Sequence, residues 1–122
     1  MPLPWPIAPT TSRGWPLLFF DRDSAEPSTR QRDLIADAVE RLAADRATIR
    51  IDLHAHADRS GPPDHNQRLS RRRAEAVAAE LVRSGIRREH IVVRASGEEL
   101  PMVPTRDGVP EPQNRRVEIV QR

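Results

Sequence analysis

The sequence contains no cysteine, no lysine and few aromatic residues. Without cysteine, disulfides, thiol catalysis and cysteine-ligated zinc are excluded. All 20 basic side chains are arginines, and 18 acidic residues reduce the formal net charge to +2. This near balance argues against a broad basic surface for non-specific nucleic-acid binding. Aromatic residues make up only 3% of the 122 residues, so we expect one domain with an aliphatic core.

Long apolar runs are also missing. The longest strongly apolar run, residues 17–20, is too short to cross a membrane as a helix. Residues 1–16 lack the basic start and apolar stretch of a secretory signal. Prolines are dense at this end of the chain and favour extended backbone. We therefore predict a proline-rich tail or linker over residues 1–16 and a single domain over residues 17–122.

Hydrophobic periodicity predicts alternating strands and helices. Ser28 and Gln31 form a capping box before the first helix, and Gly85 is placed to end the second. The predicted strands are 17–20, 49–57, 91–94 and 116–121, and the predicted helices are 29–44 and 66–84. This order predicts an α/β two-layer sandwich, β-α-β-α-β-β, with a mixed sheet of about four strands. Both main helices lie on one face, which leaves the other face less covered.

A loop rich in glycine and proline joins the second strand to the second helix, where a ligand site is common. On a helical wheel that starts at Leu69, the buried arc is centred near ~100°. Arg73 falls inside this arc at ~40°, whereas Arg71 and Arg72 fall outside it. Since an unpaired buried charge is costly, Arg73 needs an anionic partner, and Asp58 is the nearest candidate in the sequence.

Two interpretations of this pair are open. In the first, Arg73 and Asp58 form a structural ion pair that closes the loop. In the second, both face an open pocket and bind a ligand that carries an amine and a carboxylate. Arginine suits the carboxylate because its planar fork can donate two parallel hydrogen bonds, and aspartate suits the ammonium.

Several separated motifs, which together cover residues 17–121, carry a resemblance to a known family. They are Phe19-Phe20-Asp21, His56-Ala57-Asp58, Gly61, Asn66, Leu69-Ser70, Arg73-Ala74, Val77, Leu81, Gly85-Ile86, Gly97-Glu98, Pro101 and Asn114-Arg115-Arg116-Val117-Glu118-Ile119. In order and spacing they resemble OmpA-like peptidoglycan-binding domains. Ala55, Ala57 and Ala95 depart from the family pattern, and none of these changes touches Asp58 or Arg73.

The resemblance implies a non-enzymatic domain that needs no cofactor or metal and binds peptidoglycan in the periplasm or at the outer membrane. The implied ligand is the amine and carboxylate of diaminopimelate in the stem peptide. An anchor elsewhere would supply any membrane association, and a homodimer is possible. The residues that the resemblance assigns to ligand binding are Asp58, Arg73, Ser60, Asn66, Arg115 and, as the weakest transfer, Asp23.

Three alternatives remain open from the sequence. His54 and His56 alternate along the second strand, as zinc ligands do in some hydrolases, although a third ligand is not evident. Nucleic acid could be contacted by the arginines of the second helix and of the segment after it, but acidic residues are interleaved with them and no recognised motif is present; these arginines are Arg68, Arg71, Arg72, Arg83, Arg87 and Arg88. A protein-docking domain of the same fold, with a lost ligand site, is the third.

Overall fold

The strands and helices follow the predicted order. The structure is a computed structural model that describes residues 13–99 and 101–122. Short 3-10 turns, Arg88–His90 and Pro112–Asn114, precede the last two strands. The bounds are β1 Leu17–Phe19, α1 Thr29–Leu42, β2 Ile51–Ala55, α2 Pro63–Arg83, β3 Ile91–Ala95 and β4 Arg116–Gln121.

The four strands form one mixed sheet in the order β1-β4-β2-β3. β2 and β3 are parallel because α2 crosses between them, whereas β4 is antiparallel to both β1 and β2. Leu53 of β2 lies opposite Ile119 of β4 on one side and Val93 of β3 on the other. The predicted α/β fold with a mixed four-stranded sheet is therefore confirmed.

Both helices pack into one apolar cluster with the same face of the sheet. Ile35 and Val39 of α1 and Val77 of α2 are fully buried together with Leu53. The cluster is mainly aliphatic, as predicted, but it also contains Trp15 and Phe20. The two helices thus form one layer that fixes where α2 begins relative to the sheet.

Local signals explain the helix ends. At the start of α1, the Gln31 amide N–H donates to Ser28 Oγ at 3.1 Å, and the Ser28 amide N–H donates to Gln31 Oε1 at 2.9 Å. This is the predicted capping box. Gly85 follows α2 with φ +102°, a left-handed conformation that suits glycine after a helix.

Four predicted boundaries were wrong by two or three residues: the end of α1, both ends of β2 and the start of α2. α2 starts at Pro63 and not at Asn66, because proline is well placed in the first helical turn, where its missing N–H group is not needed. β2 ends at Ala55 and not at Ala57. Beyond Ala55 the chain still bonds to both neighbours, since the His56 amide donates to the Arg116 carbonyl and the Ala57 amide to the Gly97 carbonyl.

Trp15 lies in the stretch that the sequence assigned to a tail. Its side chain is fully buried, and its indole N–H donates to Gln121 Oε1 at 3.0 Å. Packing in the described residues therefore begins before Leu17. Residues 1–12 of the predicted tail lie outside the described residues. In the ranges described, neither helix combines the length and apolarity that a membrane-spanning helix needs.

Candidate ligand-binding site

Asp58 follows β2 and is a buried acceptor of four hydrogen bonds. Its side chain is only 4% exposed. Oδ1 accepts from the Ser60 amide at 3.1 Å and from the Ser60 hydroxyl at 2.5 Å. Oδ2 accepts from the Glu111 amide at 3.0 Å and from Arg115 Nη1 at 3.2 Å. Asp58 thereby joins the loop before α2 to the segment before β4.

These contacts keep Asp58 ionised. Burial alone would raise the pKa of its carboxyl group. The hydrogen bonds from Ser60 and Glu111, together with the charge of Arg115, outweigh burial and lower this pKa below its usual value. The site therefore holds a fixed negative charge at neutral pH.

Arg73 lies inside the protein, as the helical wheel predicts. Its side chain is fully buried, whereas Arg71 and Arg72 are exposed. Nε donates to the Ser24 carbonyl at 2.8 Å and Nη2 to the Asp21 carbonyl at 3.1 Å. Both carbonyls belong to the loop between β1 and α1.

Two more contacts complete the surroundings of Arg73. Nη1 donates to the His56 carbonyl at 3.2 Å, and the guanidinium carbon lies 5.4 Å from the centre of the Phe20 ring. Arg73 thus holds the β1–α1 loop against the end of β2. Burial lowers the pKa of Arg73 to about 10, against the opposing effect of the Asp58 charge, and the group is still protonated at neutral pH.

The first interpretation from the sequence had the wrong ion-pair partner. Arg73 contacts carbonyl groups, and in the described part of the chain Asp58 pairs with Arg115. Arg73 and Asp58 are close enough for the carboxylate to raise the pKa of the arginine. Two buried, opposite charges therefore lie near each other without a direct ion pair.

A cavity of about 440 Å³ opens between the β1–α1 loop and the start of α2. Three of the predicted binding residues line it, namely Asp23, Ser60 and Asn66. Asp58 and Arg73 are buried and are not among its lining residues, so the expectation that both face an open pocket was wrong, although the Ser60 hydroxyl connects Asp58 to the cavity. The complete lining is Arg22, Asp23, Ser60, Gly61, Pro62, His65, Asn66 and Leu69.

Arg115 lines a second cavity, of about 340 Å³, with Phe19, Phe20, Asp21, Pro112 and Gln113. Its Nε donates to the Phe20 carbonyl at 3.0 Å, while Nη1 contacts Asp58. The predicted site residues are therefore brought to one end of the sheet, where Asp23, Ser60 and Asn66 line one cavity, Arg115 lines another, and Asp58 and Arg73 line neither.

Comparison with known proteins identifies the family of this chain. Residues 19–115 match the OmpA family, and this stretch includes Asp58, Arg73 and Arg115. The chain belongs to the OmpA family. The solved peptidoglycan-associated lipoprotein from Burkholderia pseudomallei has the same fold, with a TM-score of 0.76 and 25% identity over 87% of this chain and 89% of that one.

Two relatives found by sequence agree with this assignment. An outer membrane protein of Gluconacetobacter diazotrophicus is 40% identical over 119 residues, which cover 93% of this chain and 31% of that protein. A peptidoglycan-associated lipoprotein of Legionella pneumophila is 37% identical over 71 residues, which cover 58% of this chain and 40% of that one. The chain thus spans less than half of each. Their names describe envelope proteins and not enzymes, as the sequence predicted.

In this OmpA domain, Asn66 shapes the loop as the resemblance implies. Its side-chain amide donates to the Gly61 carbonyl at 2.8 Å and to Glu98 at 3.3 Å, and the residue is 2% exposed. A Cβ atom on Gly61 would lie 3.1 Å from Asn66 Oδ1, so a side chain there would press on the amide. Loop and helix therefore fit closely at the cavity wall.

Asp23 closes the cavity from the opposite side. Its φ is +58°, a left-handed conformation that aspartate tolerates better than most side chains. Its Oδ1 lies 2.5 Å from Nε2 of His65 on α2, a contact that the sequence did not predict. The Glu111 amide and the Phe20 ring were also missed, because no local pattern relates residues so distant in the chain.

The metal and nucleic-acid alternatives find no support. In residues 13–99 and 101–122, no group of three or more histidine or acidic side chains could hold a metal. His56 is 4% exposed, and burial, with the nearby charge of Arg116, lowers its pKa to about 4. Among the exposed arginines, Arg83 pairs with Glu80 and Arg88 with Glu75, so acids offset part of this basic surface.

Proposed function

We propose that this domain binds peptidoglycan without catalysis and anchors an envelope component to the cell wall. The recognised group is the end of diaminopimelate in the stem peptide, where one carbon carries an amine and a carboxylate. One observation carries the proposal: Asp58 and Arg73 are buried opposite charges that do not pair with each other in the described residues, and Ser60, whose hydroxyl donates to Asp58, lines a cavity of about 440 Å³. Family membership and relatives named for peptidoglycan support it.

The ligand carboxylate binds Arg73. Within the described residues, three of the five N–H groups of the guanidinium donate to carbonyls, which leaves two donors available. Carbonyl groups do not neutralise the positive charge, and burial still lowers the pKa of Arg73. A carboxylate would complete the donor set with charge-assisted hydrogen bonds, which are stronger than those between neutral groups.

The ligand ammonium binds Asp58. Because four donors already surround this carboxylate, the ammonium must take the place of one of them. The Ser60 hydroxyl is the replaceable donor, since it lines the cavity and can rotate to accept a hydrogen bond instead. Arg115 keeps a positive charge beside Asp58, and Asn66 and Asp23 hold the two loops around the ligand.

Binding to the cell wall places this domain in the periplasm or at the outer membrane, where its named relatives occur. The wall is a covalent mesh, so a non-covalent contact to its stem peptides is sufficient for anchoring. Any attachment to the membrane would come from a separate anchor.

Co-sedimentation with insoluble peptidoglycan tests the proposal. We expect the wild-type protein to sediment with diaminopimelate-type wall, and Asp58→Asn and Arg73→Ala to remain in solution. Loss of one partner of a buried charge contact costs about 2–5 kcal/mol, equal to roughly 30-fold or more in affinity.

Arg71→Ala is the matched control, because Arg71 is an exposed arginine on the same helix. It should sediment like the wild type. Sedimentation of Arg73→Ala at the wild-type level would contradict the proposed role of Arg73. Failure of the wild type to sediment would favour a protein-docking function.

A further inference from the structure

The 440 Å³ cavity is larger than the group that the proposed function assigns to it. Ligand pockets of about 300–1,000 Å³ enclose molecules of drug size. An amine and a carboxylate on one carbon occupy only a small part of such a volume. The space beside Ser60 and Asn66 therefore has room for a neighbouring part of the stem peptide.

Arg22 supplies an unused positive charge to this space. It lines the cavity and is exposed, and within the described residues its guanidinium makes no hydrogen bond or ion pair. The adjacent carboxylate of Asp23 contacts His65 instead. Among the cavity-lining side chains, Arg22 is thus a free donor that could bind an anion in two parallel hydrogen bonds.

The backbone around Arg22 is held in place. Arg73 donates to the carbonyls of Asp21 and Ser24, which lie on either side of Arg22 and Asp23 in the chain. The Ser24 amide donates to the Asp21 carbonyl at 3.1 Å, and Asp23 adopts a left-handed φ. Arg22 is therefore presented on a fixed turn, which reduces the ordering cost when a ligand binds.

We propose that Arg22 recognises a second free carboxylate of the stem peptide, on the residue next to diaminopimelate. This inference rests on the proposed function, because Asp58 and Arg73 hold the diaminopimelate end and thereby direct the rest of the peptide into the cavity. Arg22 is a specificity-determining residue in this arrangement. It distinguishes peptides in which this carboxyl group is free from peptides in which it is amidated.

The test uses two synthetic stem tripeptides that differ only in whether the carboxyl group next to diaminopimelate is free or amidated. Their affinities are measured by titration calorimetry at physiological ionic strength. We expect the wild type to bind the free peptide about fivefold more tightly, since the pair is partly exposed to solvent. Arg22→Gln should bind both peptides equally, at the wild-type affinity for the amidated one.

Arg71→Gln removes an exposed arginine outside the cavity and should keep the preference of the wild type. A preference that survives in Arg22→Gln, or that is absent from the wild type, overturns the inference. If in either case the wild type binds both peptides and Asp58→Asn binds neither, the proposed function still stands. If the wild type binds neither peptide, the proposed function fails, and the inference fails with it.

Discussion

The two ends of this domain are held together in different ways. At the end where β1 starts and α2 finishes, the buried apolar side chains belong to one cluster, among them Trp15, Ile51, Leu81 and Ile86. At the opposite end, where β2 finishes and α2 starts, several of the buried residues are polar or charged. They are Asp58, Asn66, Ser70, Arg73 and Asn114.

This difference separates stability from recognition. Apolar burial contributes roughly 25 cal/mol per Å² and depends little on geometry. Buried charges stabilise only when their hydrogen bonds are complete, and they bind tightly to a ligand that completes them. We therefore expect changes at the apolar end to alter folding alone, and changes at the polar end to alter both folding and ligand binding.

The largest loss of stability is expected from Leu81→Ala at the apolar end. Leu81 is fully buried, and truncation of a buried leucine costs about 2–5 kcal/mol. Urea unfolding measures the loss. Val82→Ala is the control, because Val82 is 41% exposed and should change stability by less than about 0.5 kcal/mol. The comparison between ends would be wrong if folded Leu81→Ala lost its affinity for peptidoglycan.

Arg73→Ala should reduce both the stability of the domain and its binding to peptidoglycan. It leaves the carbonyls of Asp21, Ser24 and His56 without this donor, and we expect a loss of about 2–4 kcal/mol in the free energy of unfolding. Urea unfolding and peptidoglycan binding are measured on the same preparation. Arg72→Ala, which changes an exposed neighbour, should leave stability nearly unchanged. Equal stability of the two variants would show that Arg73 does not hold the loop.

His56 should make stability fall in mildly acidic solution. Its pKa is about 4 in the folded protein and 6.5 as a free side chain, so the unfolded chain binds the proton more readily. Stability is then lost as the pH falls below 6.5, by about 2 kcal/mol between pH 7 and pH 5, and the loss levels off below pH 4.

Unfolding free energies measured across this pH range check the prediction. His56→Gln, which cannot titrate, should show a much flatter dependence. A wild-type protein as stable at pH 5 as at pH 7 would mean that His56 is more accessible to solvent than its burial indicates.

The smallest stability effect is expected from Asp58→Asn. Asparagine removes the charge and replaces one acceptor oxygen with an amide nitrogen that cannot accept, at a cost of about 1 kcal/mol at neutral pH. The folded pKa of Asp58 is lowered, so its contribution is present above the unfolded pKa and disappears as the pH falls through the folded pKa. The stability curves of Asp58→Asn and wild type should therefore converge in strong acid, and a constant gap would contradict this assignment.

Local patterns predicted the elements well, because their causes lie within a few residues. The capping box at Ser28 and Gln31 and the inward position of Arg73 depend only on helical geometry, and both are present in the structure. The start of α2 was missed because the helix extends back into a stretch that reads as a turn, and proline is compatible with both.

Local sequence patterns did not predict contacts between residues that lie far apart in the chain. The sequence suggested Asp58 as the partner of Arg73, from the nearest acidic residue. The structure instead pairs Asp58 with Arg115, 57 positions away, because the segment before β4 returns beside β2. Trp15 was assigned to the tail for a similar reason, since nothing nearby in the sequence shows that Gln121 will meet it.

The sequence by itself determined the fold class, the order of elements and the presence of a buried arginine near an aspartate. Periodicity, caps and glycine positions act over short distances and are visible in the chain. Only the tertiary structure decided which groups satisfy these charges and where the cavity opens. Those outcomes depend on β4 inserting between β1 and β2, which brings Arg115 and Glu111 to Asp58 and leaves Arg22 facing the cavity.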